Sequence, residues 1–170
     1  MELEEIKRNN QDKELMLKAV SEKGKDLEWV SEELQDDEDV VKTALNKDGE
    51  ALEFASTRLK GKKDIIMLAI KTAPWTVCYA SEKLKADKEV MLESCKNYGQ
   101  ALYYASEDLR DDEDVVKAAV ANKGIIIKYA SYRLRNQKEI AEIAMNQDER
   151  AFTFLTASLK AELKNESKEE

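Results

Sequence analysis

Apolar residues recur along the chain at the spacing of one face of a helix. In DEDVVKAAV, residues 112–120, the apolar side chains are Val115, Val116, Ala119 and Val120. In ALYYASEDL, residues 101–109, they include Leu102, Ala105 and Leu109. Separations of three, four and seven residues are typical of an α-helix, whereas a strand alternates apolar and polar residues. Each segment therefore predicts a short helix of about ten residues.

Both patterns repeat every 25 residues without a gap. One position is always leucine: Leu34, Leu59, Leu84, Leu109, Leu134 and Leu159. Three residues earlier stands a hydroxyl side chain: Ser31, Ser56, Ser81, Ser106, Ser131 and Thr156. Five residues before each leucine stands an aromatic ring: Trp29, Phe54, Tyr79, Tyr104, Tyr129 and Phe154. The sequence therefore predicts six tandem repeats, at residues 12–36, 37–61, 62–86, 87–111, 112–136 and 137–161.

Each repeat is predicted to be a helix-turn-helix. Isolated helices of about ten residues are marginal in water, so the repeats must stack on their neighbours to be stable. The predicted fold class is therefore all-α, an α-solenoid of six tandem 25-residue helix-turn-helix repeats. The charged flanks are predicted to be an N-terminal cap or frayed segment at residues 1–11 and a polar C-terminal tail at residues 162–170.

Glycine separates the two halves of four repeats, at Gly24, Gly49, Gly99 and Gly124. Pro74 and Glu149 occupy the same position in the other two repeats. Because proline cannot adopt a positive φ, we expect no left-handed residue at this position. We interpret it as the first turn of the second helix, where proline is favourable.

Residues 111–114 form an acidic run, DDED, which also occurs at residues 36–39. The run lies where one repeat ends and the first helix of the next begins. Aspartate is a preferred N-cap, and acids in the first turn complement the helix dipole. The predicted N-caps are Asp12, Asp37, Asp87 and Asp112. A calcium loop needs alternating oxygen ligands, a central glycine and a distal glutamate, so the run predicts no metal site.

The sequence lacks a catalytic constellation. It contains no histidine, so the six equivalent hydroxyl side chains lack the usual base. We interpret each hydroxyl as structural, bonded to a backbone carbonyl one turn back or to the start of the next repeat. The recurring aromatic rings are interpreted as core packing between repeats. With no zinc ligand set and no glycine-rich phosphate loop either, the sequence predicts no enzyme and no cofactor.

Charge and composition limit the classes of partner and the cellular compartments that are expected. A net charge of −8 and a pI of about 4.9 disfavour direct binding to nucleic acid. No apolar run is long enough for a membrane helix, and MELEEIKRNN contains no apolar signal region, so no membrane association is predicted. The two cysteines, Cys78 and Cys95, make no disulfide framework, which favours a cytoplasmic protein. Cys95 occupies an apolar position and is predicted to be a buried thiol.

Some positions of the second helix differ between repeats. Positions 14, 17 and 21 of the repeat are spaced i, i+3 and i+7, so they are predicted to share a face. They are mostly charged in the first two repeats, but the middle repeats place there Trp75, Cys78, Tyr103, Ile125 and Tyr132. Apolar groups clustered at outward positions predict a partner-binding patch. The alternatives are partial burial by solenoid curvature and packing in a homodimer.

The repeat resembles a known family. Its clearest copies are DDEDVVKAAVANKGIIIKYASYRLR, residues 111–135, and DKEVMLESCKNYGQALYYASEDLR, residues 87–110. They are similar to the repeats of domain of unknown function 4116, and the resemblance covers residues 12–161. It implies short helical repeats of bacterial and protist type with no assigned activity, and it supplies no catalytic or binding residue. The last repeat, with TFLTASLK, departs most from the pattern, as expected of a terminal capping unit.

Three functions remain open at the level of the sequence. The leading hypothesis is a non-enzymatic scaffold that binds another protein on one face of the helical stack. The alternative is an acidic inhibitor that mimics nucleic acid and blocks a basic surface of its target. A third hypothesis is an enzyme with an unrecognised site. Steep loss of binding with salt favours the inhibitor, whereas a salt-tolerant interface centred on Trp75 favours the scaffold.

Overall fold

The computed structural model describes residues 1–169, which are helical with short connections and contain no β-strand. The prediction of an all-α helical-repeat fold is confirmed. Contacts divide the chain between Leu84 and Lys85 into two compact units. We call them unit 1, which begins at Met1, and unit 2, which begins at Lys85.

Unit 1 contains α-helices and six-residue 3-10 helices, with two α-helices between successive 3-10 helices. Its α-helices are α1 (Leu3–Arg8), α2 (Lys13–Glu22), α3 (Glu32–Gln35), α4 (Glu38–Lys47), α5 (Thr57–Lys60) and α6 (Lys63–Ile70). Its 3-10 helices are η1 (Gly24–Trp29), η2 (Gly49–Phe54) and η3 (Pro74–Tyr79). Helix α7 (Glu82–Lys85) contains the boundary between the units.

Apart from α1, the elements of unit 2 follow the same order as those of unit 1. Its α-helices are α8 (Lys88–Asn97), α9 (Glu107–Arg110), α10 (Glu113–Asn122), α11 (Tyr132–Arg135), α12 (Lys138–Gln147) and α13 (Ala157–Glu169). Its 3-10 helices are η4 (Gly99–Tyr104), η5 (Gly124–Tyr129) and η6 (Glu149–Phe154).

The predicted long first helix is confirmed, and the predicted second helix is wrong. Helix α10 has the ten residues expected of the first helix. The expected second helix is instead a six-residue 3-10 helix followed by a four-residue α-helix, as in η4 and α9. Two extended residues, Ala105 and Ser106, separate them, with ψ angles of 150° and 161°.

A backbone hydrogen bond explains the break. The Ser106 amide donates to the carbonyl oxygen of Lys85 at 3.1 Å, instead of to a carbonyl of its own helix. The same bond joins Ser56 to Gln35 at 3.0 Å and Ser131 to Arg110 at 2.9 Å. A residue whose amide is bonded to a neighbouring segment cannot continue the preceding helix.

Within each unit, equivalent helices pack on each other in sequence order. In unit 1, α4 contacts α2 and α6, and η2 contacts η1 and η3. In unit 2, α10 contacts α8 and α12, and η5 contacts η4 and η6. The predicted apolar positions form the core of each unit; in unit 2 they include Val90, Leu102, Val116, Val120 and Ile127. Stacking buries the apolar faces of helices that are too short to be stable alone.

The flanks of the repeats are helical. Ile6 of α1 is 1% exposed, so the N-terminal segment contributes an apolar side chain to unit 1. Residues 162–169 of the predicted tail belong to α13, and residue 170 lies outside the described residues. Every helix among the described residues is too short or too polar to span a bilayer.

Candidate functional site

The acidic run at residues 111–114 joins neighbouring repeats. The Asp112 carboxylate accepts hydrogen bonds from the amides of Asp114 and Val115 at 3.1 Å each, so the predicted N-cap is confirmed. The Lys88 ammonium lies 2.8 Å from Asp112 and 2.7 Å from Asp114. Burial opposes ionisation of Asp112, but the bonds from Lys88 and the two amides outweigh it and lower the pKa of this carboxyl.

The two other acids of the run contact the following short helix. The Asp111 carboxylate accepts a hydrogen bond from the Ser131 hydroxyl and lies 3.0 Å from Arg133 Nε. These two contacts lower the pKa of Asp111. Glu113 accepts a hydrogen bond from Gln137 at 2.9 Å and lies 3.4 Å from an Arg133 nitrogen. All four acids therefore have partners in adjacent repeats.

The run at residues 36–39 is built in the same way. Asp36 accepts a hydrogen bond from Ser56 and lies 2.9 Å from Arg58 Nε. Lys13 lies 2.7 Å from Asp37 and 3.1 Å from Asp39. Side-chain caps at Asp12, Asp37 and Asp87 confirm the remaining predicted N-caps. In the described part of the chain, no three histidine, cysteine, aspartate or glutamate side chains form a metal-binding group.

The recurring hydroxyls cap the short helices. Ser56 and Ser131 accept hydrogen bonds from the amides of Leu59 and Leu134, at 3.2 and 3.1 Å. Their hydroxyls donate to carboxylates of the preceding repeat, as described above for Asp36 and Asp111. For these two hydroxyls both predicted partners, a carbonyl one turn back and the start of the next repeat, are therefore wrong. The short helix begins at the hydroxyl residue and its unpaired amides need an acceptor, while the hydroxyl hydrogen is donated to the end of the preceding repeat.

The recurring aromatic rings are half-buried, so the prediction that they form the core is wrong. Instead, the ammonium group of a lysine side chain lies over several of the rings. The ammonium of Lys60 lies 5.5 Å from the centre of the Tyr79 ring, and that of Lys85 lies 5.9 Å from the Tyr104 ring. These rings gain a cation–π contact in place of full burial.

Trp75 and Cys78 come together in unit 1. They are three residues apart in η3, and side chains at this spacing are eclipsed in a 3-10 helix. Both line a cavity of about 230 Å³, with Trp75 42% exposed and Cys78 half-buried. The cavity is also lined by Glu50, Glu53, Thr76 and Tyr79.

The unit 1 cavity is acidic and aromatic. Burial and the nearby Glu53 carboxylate raise the pKa of Tyr79. Burial lowers the pKa of Lys60, whose ammonium donates to the Glu53 carbonyl oxygen at 2.6 Å. Glu50 pairs with Lys25 of the preceding repeat. The arrangement suits contact with a cationic or amphipathic group of a partner.

Tyr103 and Ile125 come together in unit 2. Both line a cavity of about 250 Å³, with Tyr103 52% exposed and Ile125 half-buried. The Tyr103 ring makes edge contacts with the rings of Tyr104 and Tyr129, with centroids 5.1 Å apart in each pair. Tyr98 also lines this cavity.

Tyr132 lies apart from the other four predicted site residues. It is 67% exposed but is not among the residues that line the unit 2 cavity. Tyr132 is the first residue of α11, beyond the break at Ser131. The predicted i+7 relation assumes one continuous helix, so the prediction of a shared face is wrong for this position.

Comparison with known families gives one match. The family described as Domain of unknown function (DUF4116) matches three tandem segments of the chain, residues 12–60, 62–110 and 112–160. The chain belongs to the DUF4116 family. No curated protein and no solved structure matches this DUF4116 chain.

The two cavities of this DUF4116 protein share several repeat positions but are lined by charges of opposite sign. Position 17 supplies Glu53 and Cys78 to the unit 1 cavity, and Tyr103 and Lys128 to the unit 2 cavity. Among the described residues, two carboxylates and no cation line the first cavity, whereas two lysines and no carboxylate line the second. Different repeats of one DUF4116 chain therefore present different chemistry at equivalent places.

Of the residues that line the unit 2 cavity, the sequence predicted only Tyr103 and Ile125 as site residues. Its lysines, Lys123 and Lys128, are at positions 12 and 17 of their repeat, and Tyr98 is at position 12 of the previous one. Position 12 also differs between repeats, with lysine, aspartate, alanine or tyrosine, but it is not on the face predicted from positions 14, 17 and 21. A comparison of charge at every variable position could have found these residues.

Proposed function

We propose that the protein is a non-enzymatic scaffold that binds another protein through the surface of its 3-10 helices, with Trp75 as the anchor in unit 1. The exposure of Trp75 carries this proposal: the side chain is 42% exposed at the rim of a cavity. Four of the five other repeats have a charged or amide side chain at this position, so the fold does not require tryptophan there. Exposed tryptophan beside a cavity is typical of an interface hot spot.

We also propose that the structural repeat is the 25-residue segment, so that each matched family segment contains two copies. Recurrence of a long α-helix, a 3-10 helix and a short α-helix between residues 12 and 161 supports this. Residues 1–11 and 162–170 would then flank the repeats. A cytoplasmic location is proposed because neither Cys78 nor Cys95 is in a disulfide.

The scaffold is preferred to the acidic inhibitor because of how the acidic residues are used. A mimic of nucleic acid needs carboxylates that are available to a basic target. In both DDED runs the carboxylates contact lysine, arginine or glutamine side chains of neighbouring repeats. We therefore infer that these carboxylates mainly stabilise the contacts between repeats and are less available to a basic target.

The test compares Trp75→Ala with Arg150→Ala in affinity capture from an extract of the source cells and in sedimentation. Arg150 is at the same repeat position and is also exposed. If Trp75 is an anchor, Trp75→Ala should weaken partner or self-association by about 2 kcal/mol or more and destabilise the fold by less than about 1 kcal/mol. Arg150→Ala should leave association unchanged. The proposal would be contradicted if Trp75→Ala left association unchanged and lowered the free energy of unfolding by several kcal/mol.

A further inference from the structure

We propose that the unit 2 cavity binds a partner segment in which an aromatic side chain adjoins acidic residues. We call it the tyrosine cavity; its walls are Tyr98, Tyr103, Tyr104 and Tyr129, and its cations are Lys123 and Lys128. This inference rests on the proposed scaffold function and names the chemistry of one partner segment.

The walls of the tyrosine cavity suit an aromatic side chain. The Tyr103 ring is held between Tyr104 and Tyr129 in two edge contacts, both with centroids 5.1 Å apart. It is nevertheless 52% exposed, so part of the ring remains available to a ligand. A ring that is already held by its neighbours loses little conformational entropy when a partner packs on it. Ile125 and Ile126 add an apolar surface for the same group.

The charge of the tyrosine cavity selects an acidic segment. Lys123 and Lys128 line it, and no acidic side chain of the described residues does so. The Lys128 ammonium lies 4.8 Å from the centre of the Tyr129 ring, which places this charge beside the aromatic wall. Although the chain as a whole has a net charge of −8, the two lysines make this cavity locally positive, which favours a carboxylate as the group bound there.

The size and exposure of the cavity favour a protein segment over a free small molecule. Its volume is about 250 Å³, and of its lining residues only Ile126 is buried. Sites for small molecules are commonly larger and enclose most of the ligand surface. A partly open cavity instead suits one side chain whose neighbours contact the surrounding surface.

The test is a two-dimensional amide NMR titration with short unlabelled peptides. The acidic probe is acetyl-Glu-Glu-Phe-Glu-Glu-amide, and the matched probe replaces each glutamate by lysine. The acidic probe should shift amides of η4 and η5, and the lysine probe should leave them in place. Tyr103→Ala should weaken binding of the acidic probe by about tenfold or more. Lys128→Gln should weaken it by about threefold or more.

Two variants serve as matched controls. Tyr132→Ala removes a more exposed tyrosine outside the cavity, and Lys96→Gln removes an exposed lysine outside it. Both should bind the acidic probe as the wild type does, and circular dichroism should show that all variants are folded.

Several results would overturn the inference. These are no shift with the acidic probe, equal shifts with the lysine probe, or equal weakening by Tyr132→Ala. Phenylacetate binding as tightly as the acidic peptide would assign the cavity to a small molecule instead. If the peptides do not bind as expected, association that depends on Trp75 is unaffected. The scaffold proposal is tested separately, by the effect of Trp75→Ala in the capture experiment.

Discussion

A β-carbon on Gly124 would overlap the backbone carbonyl oxygen of Ala144. Gly49 has the same relation to Ala69. No residue of the described chain has a positive φ, so glycine is not needed here for a left-handed turn. It is needed because the start of η1, η2, η4 or η5 approaches the long helix of the next repeat too closely for any side chain, whereas η3 and η6 begin with Pro74 and Glu149.

Gly124→Ala should therefore destabilise the protein. Because a backbone oxygen cannot move aside as a side chain can, we expect a loss of about 1–3 kcal/mol in the free energy of unfolding. Urea denaturation followed by circular dichroism measures it. The control is Gly61→Ala, where a β-carbon would lie 3.2 Å from the Arg58 carbonyl oxygen and φ is −89°. Gly61→Ala should change stability by no more than about 0.5 kcal/mol, and equal losses in both variants would contradict the close-approach explanation.

Asp112→Ala should remove the cap of α10. The lost bonds to two backbone amides should cost about 0.5–2 kcal/mol of unfolding free energy, measured in the same urea experiment. Asp114→Asn is the control, since Asp114 pairs with the same Lys88 but caps no amide. Its effect should stay within about 0.5 kcal/mol, and a larger effect than that of Asp112→Ala would show that ion pairing outweighs capping.

The free energy of unfolding should fall at acidic pH, because the carboxylates that join the repeats become protonated. The folded-state pKa values of Asp36, Asp111 and Asp112 are lowered, so the ionised form is favoured by folding. Their contribution is present above the unfolded pKa of about 4 and is lost as the pH falls through the lowered folded values. Urea melts should show Asp111→Asn less stable than wild type at pH values near neutrality, with the difference shrinking below about pH 3. A difference that is independent of pH would exclude this carboxylate as the cause, and exposed Glu142→Gln serves as the control.

The two cysteines should differ in reactivity. Burial raises the pKa of Cys95 to about 12, so its thiol stays protonated and inaccessible in the folded protein. Cys78 is half-buried at the unit 1 cavity. A thiol reagent at about pH 8 should modify Cys78 first and Cys95 only after denaturation. Cys78→Ser should abolish the fast reaction, and fast modification of that variant would show that Cys95 is accessible in the native state.

The candidate site could be predicted only in part. Trp75 and Tyr103 stand out because repeats of one chain can be compared with each other, and most other repeats carry polar side chains at their positions. Their surroundings were not predictable, because each cavity forms between consecutive 3-10 helices. Tyr103 and Tyr129 are 26 residues apart, and only packing of η4 against η5 brings their rings into contact.

The sequence by itself determined the all-α class, the long helices and their caps. Those features depend on local interactions, since apolar spacing defines the buried face of α10 and Asp112 bonds amides two and three residues away. Only the tertiary structure decided the second half of each repeat. A spacing of three residues fits both a 3-10 and an α-helix, and the choice between them was made by a bond such as that from the Ser131 amide to the Arg110 carbonyl of the preceding repeat. Local sequence cannot reveal that bond, because its acceptor reaches Ser131 only when the repeats stack.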